Sequence, residues 1–270
     1  MEPSCLMALR ESESFPWVPL KINNVGCATD DDLTRNIEAN LKRRHSRLNE
    51  FIGSQTGKLS VCGFAPSLKN TWRQITGDIM ACNRAHDFLI SQGVVPKWCL
   101  LMDPLEVMAQ MITPHPDVVY LVASRCHNSV FEKLEGYSVV VWHAAGDKPI
   151  IPILERLGIN EPTVNGGTAS VTRAMVLGIA IGYTDIHIFG ADSSFPEGGY
   201  THIEKSLVNE VPVEVMVDNQ LYSTTGWMTL QVEDIRILCP DLSMNGIKFT
   251  FYGQGLLQHV AKHLGYEVIT

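Results

Sequence analysis

From residue 58 onward the chain alternates short, almost wholly apolar runs with longer segments whose apolar residues recur every three or four positions. The short runs read as strands buried on both faces, and the longer ones as amphipathic crossover helices. The pattern predicts strands over 59–63, 78–82, 98–102, 118–122, 138–142 and 185–190. Between them it predicts helices over 66–75, 84–92, 104–111, 127–135, 149–157 and 168–182. The tail adds a further helix, a strand over 247–251, a helix over 254–264 and a final strand over 266–269. Strands alternating with crossover helices predict a Rossmann-like α/β fold, a mostly parallel sheet with helices on both faces.

Upstream of residue 58 the text differs. Residues 1–28 show no periodicity and carry Pro3, Pro16 and Pro19, so they read as an arm laid over another surface. Asp30, Asp31 and Asp32 suit a helix amino terminus, and Leu33, Ile37, Leu41, Leu48 and Phe51 extend that helix toward Gly53 and Gly57. Lys42, Arg43, Arg44 and Arg47 then fall on its wetter side. The expected division is an amino-terminal arm and helix over 1–57 and a Rossmann-like domain over 58–270.

Composition narrows the partners. With 270 residues, 45% hydrophobic and 19% charged, the chain can bury a full α/β core. A formal charge of −8 argues against duplex nucleic acid or an anionic membrane as the main partner and favours small soluble ligands. The seven cysteines form no Cys-x-x-Cys pair, which fits reduced, buried thiols. Nothing reads as a signal peptide or a membrane span, so a cytoplasmic protein is expected, with oligomerisation open.

Right-handed crossovers would bring the carboxyl ends of the strands to one rim, where doubly wound sheets bind ligands. The first strand opens into Gly63, Phe64, Ala65, Pro66 and Ser67, a strand-turn-helix whose amides suit an anion although the dinucleotide and Walker fingerprints are absent. Asn83 and Arg84 follow the second strand and Asp103 the third; Asp192 follows the strand over 185–190. Asp103 and Asp192 are candidate Mg2+ ligands. His202, in the polar loop GGYTHIE, is a candidate general acid or base. Gly166, Gly167 and Thr168 form a second candidate anion loop, with the Thr168 hydroxyl placed to cap the helix that follows. His259 and His263 lie four apart on a helix, but HVAKH lacks the glutamate of the zinc-protease motif and reads as a surface pair. Trp98, Trp142 and Trp227 read as core or pocket wall.

The ordered set CGFAPSL, ACNRAHDFLISQGVVPKWCLLMDP and NGGTASVTRAMVLGIAIGYTDIHIFGADSSF, with YTHIE after it, resembles the 6-hydroxymethylpterin diphosphokinase MptE-like family. That family also includes motility accessory factors and phage-borne members. A more distant likeness is to bacterial sialyltransferases that use a CMP-sugar donor. The resemblance covers roughly residues 58–204 together with the preceding helix, and implies a nucleotide-binding transferase. It implies phosphates held at Gly63, Ala65, Pro66 and Ser67 and at Gly166, Gly167 and Thr168, with base or ribose at Asn83. It further implies Mg2+ at Asp103 and Asp192, and His202 acting on the acceptor or leaving group. ATP or a CMP-sugar is the implied donor, with a small molecule as acceptor. Glycosyl transfer and a non-catalytic nucleotide-binding phage accessory role are the alternatives. Ala65 stands where the family has a second glycine, and its methyl narrows backbone approach to a phosphate.

Overall fold

A computed structural model describes residues 5–6, 20–21, 28–196, 199, 202–203 and 211–270, the first four by backbone alone. Strands β1 (Cys5–Leu6) and β2 (Leu20–Lys21) form a short antiparallel pair. Helix α1 (Asp30–Leu41) and strand β3 (Ser46–Arg47) lead into the repeating part of the fold. There follow β4 (Lys58–Cys62), α2 (Leu68–Thr71), β5 (Asp78–Cys82), α3 (Ala85–Ser91), β6 (Trp98–Leu101) and β7 (Val119–Ala123). Next come α4 (Asn128–Lys133), β8 (Ser138–Ala144), α5 (Ile150–Leu157), β9 (Thr163–Val164), α6 (Ser170–Ile181) and β10 (Asp185–Phe189). The carboxyl-terminal part holds β11 (Pro212–Val217), β12 (Gln220–Thr225), α7 (Gly226–Met244), β13 (Lys248–Tyr252), α8 (Leu256–His263) and β14 (Glu267–Ile269).

The main sheet runs β14-β13-β10-β4-β5-β6-β7-β8-β3, with β9 paired to the end of β8, and every pairing in it is parallel. The chain steps outward from β4 to β8, then returns to lay β10 on the other side of β4. Beyond the carboxyl ends of these two central strands the loops diverge, and this is where such sheets bind ligands.

Alternation along the strands sends side chains to two separate cores. Leu59, Val61, Met80 and Cys82 enter one, while Cys62, Ile79 and Ala81 enter the other with Leu68, Ala85 and Leu89 of α2 and α3. Helix α6 covers the first face; a Cβ on its Gly178 would run into the Leu59 side chain, so only glycine lets the helix lie this close to β4. Trp98 and Trp142 are buried as core residues, whereas Trp227 is half exposed at the start of α7. The cysteines with described side chains, Cys62, Cys82, Cys99, Cys126 and Cys239, are buried and unpaired. Burial pushes the Cys82 and Cys126 thiols far up, and that of Cys239 to about 12.

Three expectations need correction. The helix over 30–51 stops at Leu41: Arg47 Nη2 donates to the Leu41 carbonyl at 3.1 Å, and Arg47 itself pairs in β3 beside β8. A cation on the last free carbonyls of a helix stabilises that end. The segment over 104–111 is a 3-10 turn, Glu106–Met111, and the helix over 66–75 is the four-residue α2 followed by a 3-10 turn, Trp72–Gln74. The hairpin β11–β12 is an addition to the expected elements; its strands form a half-exposed ribbon without the continuous apolar runs that mark the main sheet.

Helix α1 is docked rather than appended. Leu33, Ile37 and Leu41 pack with Ile150, Ile153 and Leu154 of α5. Asn36 donates to the Arg125 carbonyl (3.0 Å), and Asn40 donates to those of Ser124 (3.0 Å) and Cys126 (2.7 Å). The helix therefore holds the loop after β7 at the rim. Its own start is locked by a capping box between Thr29 and Asp32.

Candidate functional site

Two loops cross at the head of β4 and β10. The Gly63 amide donates to Phe189 O (2.9 Å), and the Ala65 amide to Gly190 O (2.9 Å). A Cβ on Gly63 would overlap the Gly190 carbonyl, and one on Gly190, whose φ is +57°, would overlap that of Gly63. Glycine on both sides is the condition for this crossing.

Asp192 then turns back onto the first loop. Its carboxylate accepts from the Ser67 amide (2.9 Å) and, through the other oxygen, from the Ser67 hydroxyl. Gly253 and Gly255 leave room for Ser67 and Asp192 respectively, and the Leu257 amide of α8 donates to Asp192 O (3.2 Å). Burial pushes the Asp192 carboxyl up to about 6, against the pull of the two Ser67 hydrogen bonds. Where the sequence suggests amides turned toward an external anion, Ala65 and Ser67 thus have partners within the fold.

The second glycine loop has the same device. The Thr168 amide donates to Asp234 of α7 (2.9 Å), and the Thr168 hydroxyl reaches the same oxygen at 3.3 Å. The Thr168 hydroxyl is therefore not the helix cap; α6 begins after Ala169, which has no side chain able to cap it. Gly166 (φ +134°) and Gly167 (φ +77°) bend the loop, and Arg173 of α6 ties it down. Its guanidinium donates to Gly167 O (2.7 Å), Ala145 O (3.0 Å) and Val164 O. Burial holds the Asp234 carboxyl above the usual range, and lowers the Arg173 pKa.

Between these loops lies the polar part of the rim. Asn83 sits at φ +50°, a left-handed conformation that asparagine tolerates better than most residues. Its Nδ2 donates to Ser170 Oγ (3.2 Å) at the start of α6. Its Oδ1 is buried and has no hydrogen-bond partner among the described residues. Burial raises the Asp103 carboxyl, opposed by the Arg125 charge and a hydrogen bond from Asn83. Arg125 also pairs with Asp147 at 2.6 Å. On the other side, the Arg84 guanidinium lies over the Phe64 ring, 5.1 Å from its centre. The His202 ring is 6.4 Å from that of Phe64, held there because the Ile203 amide donates to Phe64 O (2.9 Å).

The fold thus gathers Asn83, Asp103 and the start of α6 into one hydrogen-bonded cluster on the rim, and sets His202 beside the first loop. Asp103 and Asp192 fall on strand ends three places apart, β6 and β10, on the order of 14 Å in the pairing direction. Sequence reasoning missed Arg125, Asp147, Arg173 and Asp234. Arg173 alone had a signal, a cation within an otherwise apolar helix; the rest are set by tertiary packing.

A family model described as "6-hydroxymethylpterin diphosphokinase MptE-like" matches residues 31–198, well over half of the chain. The chain belongs to the MptE-like family. The matched stretch takes in α1, both glycine loops, Asn83, Asp103 and Asp192, and ends before His202 and Asp234. Among solved structures, the MptE-like chain is similar to the MAf glycosyltransferase from Magnetospirillum magneticum AMB-1, at 12% identity and a TM-score of 0.58 over 84% of this chain. That likeness is one of fold, and this chain spans 37% of the glycosyltransferase chain. A mammalian sialyltransferase matches at 11% identity and a TM-score of 0.42, covering 84% of this chain and 87% of that one. A search of curated proteins returns no match. No helix among the described residues is long and apolar enough to cross a membrane.

Proposed function

We propose that this MptE-like protein is a nucleotide-dependent transferase whose donor binds between the Gly63–Ser67 loop, Asn83 and the start of α6. The observation that carries this reading is Asn83. A buried amide oxygen without a partner costs about 1–3 kcal/mol, and a left-handed non-glycine backbone adds to that cost. Both are retained where a bound hydroxyl or amino group satisfies the oxygen, as a ribose or base edge would. The first turn of α6, with its positive end of the helix dipole, faces the donor's phosphates.

The group transferred is proposed to be a diphosphate passed to a small hydroxymethyl acceptor, in line with the diphosphokinase of the family's description, with ATP as the proposed donor. Asp103 and Asp192 do not fit one shared Mg2+, since β6 and β10 are three strand spacings apart and both Asp192 oxygens are engaged by Ser67. Asp103 alone fits an ion that takes one carboxylate plus donor phosphates. Bound there, Mg2+ would neutralise charge on the transferred group. Asn83 orients the donor, and Arg84 and His202, flanking Phe64, face the leaving group or acceptor, with His202 available to move its proton. Glycosyl transfer from a nucleotide-sugar is the second reading, favoured by the same engagement of Asp192, which leaves one acidic ligand in place of a pair. A non-catalytic nucleotide-binding role, as in a phage accessory protein, uses the same pocket.

Thermal-shift measurements with ATP, GTP, CTP, a CMP-sugar and a UDP-sugar, with and without Mg2+, separate these readings. Stabilisation by ATP only with Mg2+ supports diphosphate transfer; a chelator-indifferent response to a CMP-sugar supports glycosyl transfer. Asn83→Gly preserves the left-handed backbone while removing the amide. It is expected to weaken nucleotide binding at least tenfold at an unchanged melting temperature, and undiminished binding would sink the assignment.

A further inference from the structure

Outside the rim, one cluster has the chemistry of a metal site. Hairpin β11–β12 closes on Asp218 and Asn219, which take φ of +47° and +63° between the paired residues Val217 and Gln220. A two-residue hairpin with both central residues left-handed matches the twist of its strands, and Asp and Asn are among the residues that accept it. The turn presents the Asp218 carboxylate to α8, where His259 and His263 lie four apart on one face. Their rings stack at 5.0 Å with 23° between planes. His259 Nε2 is 3.2 Å from Asp218 Oδ2, and His263 Nε2 contacts the same oxygen. The three ligand atoms all lie within 4.8 Å of one another.

A surface histidine pair does not account for this convergence. Both imidazoles aim the same nitrogen at one oxygen of a single carboxylate, delivered by a separate element through a conformationally demanding turn. His259 also has an outer partner: its Nδ1 is bonded to Tyr222 OH at 2.7 Å, which fixes the ring and leaves Nε2 facing Asp218. An imidazole held by a hydrogen bond on one nitrogen while the other faces a cation is the usual arrangement around protein-bound metals. All three side chains keep a solvent-accessible edge for entry.

We propose that Asp218, His259 and His263 form a site for a divalent first-row transition metal, Zn2+ foremost, with the remaining position taken by water. Two imidazole nitrogens and one carboxylate oxygen suit Zn2+ and its neighbours rather than Mg2+ or Ca2+, which take oxygen ligands. The bound metal clamps the hairpin to α8. That clamp bears on the rim, because Thr224 Oγ1 donates to Ser193 O (2.7 Å) and the Phe195 amide donates to Ser223 O (2.7 Å), both on the segment that follows Asp192. The site is independent of nucleotide chemistry.

Calorimetric titration of the metal-stripped full chain with Zn2+, repeated by the visible absorption of Co2+, tests this without any nucleotide present. One equivalent is expected to bind with a rise in melting temperature. Asp218→Asn, His259→Gln and His263→Gln are each expected to lower affinity at least tenfold, with melting of the metal-free variants confirming the fold. Tyr222→Phe is expected to weaken binding about tenfold at the same stoichiometry, the effect size of an outer-shell partner. Absence of saturable binding at one equivalent would overturn the proposal. So would Asp218→Asn and Tyr222→Phe variants that bind as tightly as the parent, which would mean an adventitious histidine pair.

Discussion

The loop after β4 and the loop before α6 look alike in sequence, each a glycine-bearing turn leading into a helix, and each is closed by a carboxylate from elsewhere in the chain. They differ in what surrounds that carboxylate. At the first loop the crossing is backbone on backbone, Gly63 against Gly190, and Asp192 is enclosed behind it. At the second loop the near neighbour of Gly167 is the Asp234 side chain itself, the end of a flexible group on α7, beside the Arg173 guanidinium. The first closure is part of the framework. The second is a side-chain latch that can yield.

The largest separation between the loops is expected from adding a methyl group. Gly63→Ala drives a Cβ into the Gly190 carbonyl, where neither backbone can retreat, and should cost about 4 kcal/mol or more, or abolish folding. Gly167→Ala meets a carboxylate that can swing away and a left-handed backbone, and should cost about 2 kcal/mol. Denaturant melts of the two variants settle the order, and equal losses would remove the distinction between framework and latch.

A smaller but sharper contrast comes from pH. The Asp192 carboxyl is raised by burial to about 6 from an ordinary value of 3.8. Between those values the folded chain binds more protons than the unfolded one, so this group's contribution to stability is greatest below about pH 4 and is lost as pH rises through about 6. Asp192→Asn keeps an acceptor for the Ser67 amide and removes the buried charge. It should be more stable than the parent at neutral pH, by on the order of 3 kcal/mol, with the gap closing toward pH 4. A variant less stable than the parent at every pH would show that the charge itself holds the loop.

The smallest effect is expected at the latch. Asp234→Ala removes the acceptor for the Thr168 amide and hydroxyl and should cost about 1–2 kcal/mol. If that carboxylate occupies a place an anion can fill, inorganic phosphate should raise the melting temperature of this variant more than that of the parent. Equal phosphate responses would mean that the loop is no anion site once opened.

Much of this architecture is legible along the chain because it rests on local pattern. Runs such as IMAC and WCLL are apolar at every position, and LSVC at all but Ser60, as suits strands covered on both faces, and all eight predicted strands fall within two residues of their observed bounds. Where a competing interaction intervenes, the pattern misleads: α1 stops at Leu41 because Arg47 caps it and then joins the sheet, although Leu48 and Phe51 continue the helical spacing. The candidate site was half legible. Asn83 and Asp103 could be found because they follow strands. Arg125 and Asp147 could not, since their pairing depends on α1 setting the loop after β7. His259 and His263 were visible as a pair on one helix face, but their carboxylate comes from a hairpin turn 41 residues upstream of His259.

What the sequence determined by itself was the order of strands and helices, and with it the rim on which polar residues gather, because two-sided burial and helical amphipathicity are written in neighbouring residues. Which groups meet on that rim was decided only by tertiary structure. Asp192 and Asp234 follow the same rules of charge and hydrogen bonding as any ligand, yet each fills its loop from more than 60 positions away. An unsatisfied amide takes whichever acceptor the fold brings within about 3 Å, and separation along the chain does not enter that choice.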